Sequence, residues 1–360
     1  MDDRAIARWR LHSLHLAGQS QPSATEVVRG LLAVQAENHS QASWAVAART
    51  SGMTEAEFTR LFDDGEILRT HVLRSTWHFV DPADIRWLAE LSEKRLRRLI
   101  VGRQRELGID DAALDAALGV VIEALSGGAH VSRGQIGERL SARGLPASGS
   151  QVALVMIRAE LLALVCSGAL QGREQTYALL DERAPGAPRL DEDEALAELA
   201  LRYFTSHGPA TERDLTYWAT LTLGDVRTGL AAVAERLQRF EHDGRTYWFA
   251  QEPPPDGTLE PRGHLLQLLD EYYRGYQDSR YVLDADGLLP RGREPSIGMA
   301  LVDGQYAARM RRKIGKRSVR FDLDPLRSLD PDEVAALSEA AERYGRFLAL
   351  EPNLVISDFA

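Results

Sequence analysis

Cysteine is almost missing: Cys166 is the only one among 360 residues. One thiol excludes an intrachain disulfide and a cysteine-built zinc cluster. Its place after the apolar run at 161–165 reads as core, not as a nucleophile. Long uncharged apolar stretches are also missing, so no segment reads as a membrane span. The opening Met1-Asp2-Asp3-Arg4 is charged where a secretory signal would begin its apolar run. A reducing, cytoplasmic location is therefore expected. No histidine, cysteine or acidic residues fall at metal-ligand spacing, and no glycine-rich phosphate loop is present, so neither metal nor cofactor is expected. Positive charge is the minority: 43 Lys and Arg stand against 53 Asp and Glu, a formal net charge of −10. That argues against a protein coated uniformly for nucleic acid, but distribution matters more than the sum.

Two stretches are locally basic. Lys94-Arg95-Leu96-Arg97-Arg98, continued by Arg103 and Arg105, reads as one helix rimmed with cations. The run from Arg309 to Arg320 contains Arg311, Arg312, Lys313, Lys316 and Arg317 and no acidic residue. A charge run is usually a solvated face; a basic hairpin inside an acidic protein also suits phosphate. Arg95, Arg97, Arg98, Arg309, Arg311, Arg312, Lys313, Lys316 and Arg317 are the candidate DNA-binding residues.

The length implies two to four domains. Pro/Gly-rich linkers at 183–189 and 251–257 suggest four segments: 1–107, 108–183, 190–251 and 260–360. The two central segments read as weak copies of each other. In 108–183 a helix over 110–125 precedes a short helix opened by Ser132, a long apolar helix over 151–165 and a strand over 175–180. In 190–251 a helix over 194–204 precedes a short one opened by Thr211, a long one over 225–237 and a hairpin turning at Asp243-Gly244. This is the order of a winged helix-turn-helix. The first segment fits it too, with wing strands over 67–72 and 75–80. The last segment reads as β-rich, with strands at 281–283, 296–302 and 318–323 and a closing helix over 331–348. The fold expected is mainly α with small β-wings: three tandem winged units plus a C-terminal β-rich domain closed by a helix.

The chemistry-bearing stretch is Leu31-Leu32-Ala33-Val34-Gln35-Ala36-Glu37-Asn38. Ser23 and Glu26 have capping-box spacing, and an apolar face runs through Val27, Leu31 and Val34. On a continuing helix Gln35 and Glu37 diverge; they converge only if the chain unwinds there. Asn38-His39-Ser40 supplies turn and cap residues before a second helix over 44–48. An amide and a carboxylate at a helix–helix corner can hold and polarise a water. They can equally be solvated side chains at a helix end.

The chain resembles the AlkZ/YcaQ family. The resemblance lies in residues 32–37, in Leu68-Arg69-Thr70-His71-Val72-Leu73-Arg74-Ser75-Thr76-Trp77-His78 and the residues through Leu88, in residues 264–272 and 275–280, and in Leu301-Val302-Asp303-Gly304. It implies three tandem winged helices, a C-terminal β-domain, and monofunctional DNA glycosylase activity releasing bulky N-alkylated purines, including those in interstrand crosslinks. The family's catalytic Gln-x-Gln or Gln-x-Asp falls on Gln35-Ala36-Glu37, which departs at its third position. Ser75 stands where glycine or proline is expected. An N7-alkylated purine is cationic and leaves readily, so a polar pair that positions water and stabilises an oxocarbenium ion suffices. Gln35 would orient the water and Glu37 would stabilise the cation and accept a proton. No lysine lies beside the motif, which suits hydrolysis without a Schiff base. The partner implied is double-stranded DNA, alkylated or crosslinked, bound by a monomer. The alternatives are a winged-helix DNA-binding protein or regulator without catalysis, and a protein–protein scaffold. His71, His78, Trp77, Trp87, His264 and Asp270 read as structural before catalytic or DNA-contacting.

Overall fold

The computed structural model describes residues 1–74, 76–254, 257–289 and 298–359. Ser75, part of the linker at 251–257 and the start of the strand expected over 296–302 lie outside them. The chain divides into two compact units, residues 1–58 with 196–360, and residues 59–195.

The first unit opens with α1 (Asp3–Ser13), α2 (Ala24–Leu31), β1 (Ala33–Gln35) and α3 (His39–Ala47). Helix α4 (Glu55–Asp64) leads into the second unit. There β2 (Leu68–Val72) and β3 (Thr76–Val80) form an antiparallel hairpin in the register Leu68–Val80 to Val72–Thr76. Then come α5 (Ile85–Glu106), α6 (Asp111–Leu125), β4 (Val131–Ser132), α7 (Arg133–Ala142), α8 (Gly149–Leu161), β5 (Val165–Ser167), β6 (Thr176–Leu179) and α9 (Leu180–Arg183). Strands β4, β6 and β5 make one antiparallel sheet with β6 central. Ser132 and Ser148 open α7 and α8 with reciprocal capping boxes to Gln135 and Gln151. The core packs Leu118, Val121 and Leu125 of α6 against Ile136 and Leu140 of α7 and Val152, Val155 and Ala159 of α8. The long helix expected over 151–165 stops at Leu161; Ala163 adopts φ 54°, and Val165 already begins β5.

Helix α10 (Glu192–Ser206) returns the chain to the first unit, followed by α11 (Glu212–Ala219), α12 (Leu223–Val233), β7 (Gln238–His242) and β8 (Arg245–Phe249). The β7–β8 turn places Asp243 and Gly244 at φ 48° and 70°, the left-handed pair a two-residue hairpin demands. A five-stranded sheet then forms in the order β13-β12-β11-β10-β9 from β9 (Gly263–Leu266), β10 (Gly298–Val302), β11 (Gln305–Ile314), β12 (Ser318–Pro325) and β13 (Glu351–Ile356). Between β9 and β10 sits α13 (Glu271–Arg274), and α14 (Pro331–Leu348) packs on the sheet. A side chain at Gly263 would meet the carbonyl of Ala336 at 2.3 Å, so only glycine lets β9 approach α14 this closely.

Two sequence expectations fail here. Residues 281–283 are not a strand but part of a 3₁₀ turn over Arg280–Asp284. Helix α14 does not close the domain, because β13 follows it and pairs in parallel with β12. Among the described residues no helix is long and apolar enough to cross a membrane, and no group of three or more His, Cys, Asp or Glu could hold a metal.

Candidate active site

The corner carrying Gln35 and Glu37 is built by a helix that stops early. Ser23 caps α2 by accepting from the Glu26 N–H at 3.2 Å, and its hydroxyl donates to the Glu26 carboxylate at 3.1 Å. The capping pair is therefore closed through the hydroxyl. The helix ends at Leu31, and Leu32 sits at φ 68°, outside the helical region. The apolar stripe expected on one helix is thus split: Val27 and Leu31 lie on α2, Val34 on β1, all fully buried. The chain does unwind before the motif. Gln35 ends β1, and Glu37 follows two residues later, outside the strand.

Gln35 is 7% exposed, whereas Glu37 and Asn38 are exposed. Asn38 accepts from the Gln41 N–H at 3.1 Å and opens α3, five residues earlier than the helix expected at 44–48. Behind the corner lies the stretch from β9 into α13. The Gln35 backbone N–H donates to Glu271 Oε1 at 2.8 Å. Glu271 Oε2 accepts from Trp218 Nε1 at 2.8 Å and lies 3.4 Å from His207 Nε2. Trp44 of α3 donates through Nε1 to the Leu265 carbonyl at 2.8 Å and stacks on Tyr344 at 4.0 Å. Arg49 grips Asp270 with two hydrogen bonds, 2.8 and 3.0 Å, both side chains fully buried. None of these anchors was found from sequence as part of the site. Asp270-Glu271 lay inside a recognised stretch, but a contact spanning 236 residues leaves no periodic trace.

The histidines read as structural, His71, His78 and His264, are all buried. His71 Nδ1 meets Glu160 at 2.5 Å, with the Trp77 indole donating to the same carboxylate at 3.2 Å. His78 is fully buried, and Trp87 is buried and donates to Asp84 at 3.1 Å. Trp77 is only half-buried, its face covered by the Arg69 guanidinium at 4.1 Å. Burial, helped by Arg343 and Arg49, lowers His264 to about 3, so the ring is neutral. Burial pushes the Cys166 thiol up to about 12, which makes it inert.

The two basic runs differ. On α5, Arg95 pairs with Glu192 at 3.0 Å and Arg97 with Glu93 at 2.8 Å, while Arg98 is exposed. The run at 309–320 forms the β11–β12 hairpin, closed by the Gly315 N–H donating to the Ser318 carbonyl at 2.8 Å. Arg309, Arg311, Lys313, Lys316 and Arg317 are exposed; Arg309 also pairs with Asp324 at 3.3 Å. Arg312 turns instead toward α14, where it donates to the Tyr344 hydroxyl.

The chain matches the family described as "DNA glycosylase AlkZ-like" over residues 28–347. An "Interstrand DNA cross-link repair glycosylase" of Streptomyces sahachiroi is 25% identical over 289 residues, 76% of each chain. The solved structure of the Streptomyces sahachiroi DNA glycosylase AlkZ shares the fold, with a TM-score of 0.78 over 99% of this chain and 100% of that one at 19% identity. The protein is thus a DNA-repair glycosylase, an enzyme class that hydrolyses N-glycosyl bonds. Within that class the chain belongs to the AlkZ-like family.

Proposed function

We propose that the protein hydrolyses the N-glycosidic bond of alkylated purines in duplex DNA, crosslinked lesions included, with Gln35 and Glu37 as its catalytic pair. The observation that carries this reading is the corner itself: the helix unwinds before the motif, Gln35 is anchored through its backbone, and Glu37 is open to solvent. An alkylated purine leaves as a neutral base from a cationic one, so the barrier lies in the sugar's positive charge and the arriving water. Glu37 stabilises that charge electrostatically and takes the proton, and Gln35 orients the water. No cofactor enters this scheme.

The order of three helices and a strand pair in 108–183 and 190–251 supports tandem winged-helix units there; 1–107, which carries four helices before its strand pair, is proposed as a third, with a β-rich domain over 260–360. The exposed cations of the β11–β12 hairpin would lie against phosphates. The α5 residues Arg95, Arg97 and Arg98 are proposed as phosphate contacts in their own right, Arg98 most directly because the other two carry carboxylate partners. The protein would act as a monomer on nucleoid DNA in the cytoplasm. The test is base release from duplex DNA carrying one N7-alkylguanine. Release well above spontaneous depurination supports the reading. Binding with release only at the spontaneous rate leaves a non-catalytic DNA-binding protein.

A further inference from the structure

Glu271 is a carboxylate with no accessible surface. Burying such a group is expensive unless its oxygens are fully engaged, and an apolar residue would often stabilise a core as well or better. Its position on α13 does not require it either. Asp270 already caps that helix by accepting from the Tyr272 N–H at 2.9 Å, while Arg49 neutralises Asp270. The Glu271 side chain turns away from its own helix and reaches the end of β1. There Oε1 takes the Gln35 N–H at 2.8 Å, and Oε2 is fixed by the Trp218 indole at 2.8 Å and approached by His207 at 3.4 Å. His207 is fixed in turn by Ser206 at 2.8 Å and by Tyr203 stacked on its ring at 4.8 Å.

We propose that Glu271 is the positioning residue of the reaction: its buried carboxylate holds the backbone of Gln35, and thereby the Gln35-Ala36-Glu37 corner, at the place where water and sugar meet. A hydrogen bond to a charged acceptor is short and directional, and this one fixes the first residue of the catalytic pair through its main chain. The motif therefore needs three parts of the sequence, β1, α11 and α13, and not the tripeptide alone.

The assignment rests on Gln35 being catalytic, and a double-mutant cycle separates the two claims. Single-turnover release of N7-methylguanine is measured with enzyme in excess for wild type, Glu271→Gln, Gln35→Ala and the double variant, alongside affinity for undamaged duplex. Glu271→Gln places an amide N–H₂ against the Trp218 N–H and weakens the acceptor for Gln35. It should slow release about tenfold while DNA affinity changes by less than about twofold. In the Gln35→Ala background the same change should cost clearly less than in the wild type, because the part of its effect that passes through the Gln35 side chain is gone and only the part through Glu37 remains. A full, additive loss in that background overturns the positioning role alone, as does a wild-type rate for Glu271→Gln. A wild-type rate for Gln35→Ala overturns the catalytic reading and the positioning role with it. If Glu271→Gln does not fold, Trp218→Phe, which removes the indole donor to Oε2, takes its place in the cycle with the same criteria at about a threefold loss.

Discussion

On the proposed mechanism Glu37 bears the chemical demand of the site, because it would face a forming cation and receive a proton within a single step. Glu37→Gln keeps a polar arm of equal length and restores the relatives' Gln-x-Gln form, so measurable base release should remain. Glu37→Ala should lose roughly 10²- to 10⁴-fold, the ordinary worth of a positioned acid–base group. The side chain is exposed, so neither change should alter the melting temperature appreciably. Equal single-turnover rates for wild type and Glu37→Ala would remove Glu37 from the mechanism. His264 sets a different residue-scale expectation, one of stability. Burial, with Arg343 and Arg49 adding to it, holds its ring at about 3 against an ordinary 6.5. Between those values the unfolded chain binds a proton that the native state refuses. The stabilisation is complete above pH 6.5 and declines as pH falls toward 3, by up to about 1.4 kcal/mol per unit. His15, lowered to about 4 by burial and Arg49, acts in the same direction. Denaturant unfolding at pH 7 and pH 5 should show a smaller acid loss for His264→Phe than for wild type; identical losses would mean that His264 does not contribute.

At the scale of elements, the β11–β12 hairpin carries a run of exposed positive charge in Arg309, Arg311, Lys313, Lys316 and Arg317. Strand alternation sends Arg309, Arg311 and Lys313 to solvent while Met310 enters the core. Changing Arg311, Lys313, Lys316 and Arg317 to alanine should weaken binding to all duplex sequences alike. It should also reduce the slope of log K against log salt by about 0.9 for each phosphate no longer neutralised. An unchanged slope would take the hairpin off the DNA path. Elements with local signals were legible in the sequence. Asp330 and Glu333 bracket the start of α14 in a capping box, and Asp243-Gly244 turns β7 into β8. Elements decided by distant partners were not. The apolar run through Leu31 and Val34 has helical spacing, yet the helix ends at Leu31 and Val34 lies in β1. The Val282-Leu283 pair is buried in a 3₁₀ turn held by Gln305, whose amide donates to the Val282 carbonyl at 3.0 Å. Strand β13 opens with exposed Glu351, Pro352 and Asn353, residues a sheet accepts at an edge and a periodicity reading passes over. For the proposed site, the tripeptide was named from the sequence and its contacts were not, since Glu271, Trp218 and His207 reach Gln35 only through the fold.

For the whole molecule, a net charge of −10 repels the DNA polyanion, so binding depends on local patches and recognition on the chemistry at one corner. The proposed pair, an amide and a carboxylate, is a set suited to stabilising positive charge on the sugar. It is less suited to driving out a base that must first be protonated. The leaving base must then bring its own positive charge, as an N7- or N3-alkylated purine does. Single-turnover release should accordingly be clear for N7-alkylguanine in duplex DNA and absent, to within spontaneous loss, for uracil or hypoxanthine at the same position. Because the cationic base needs no Lewis acid to depart, excess EDTA should leave the N7-alkylguanine rate unchanged. Efficient release of uracil would contradict the chemistry argued for Gln35 and Glu37, since a neutral base leaves only with stronger acid assistance than this pair supplies. Loss of activity in EDTA, restored by a divalent cation, would likewise mean that the bond is broken with help this reading leaves out.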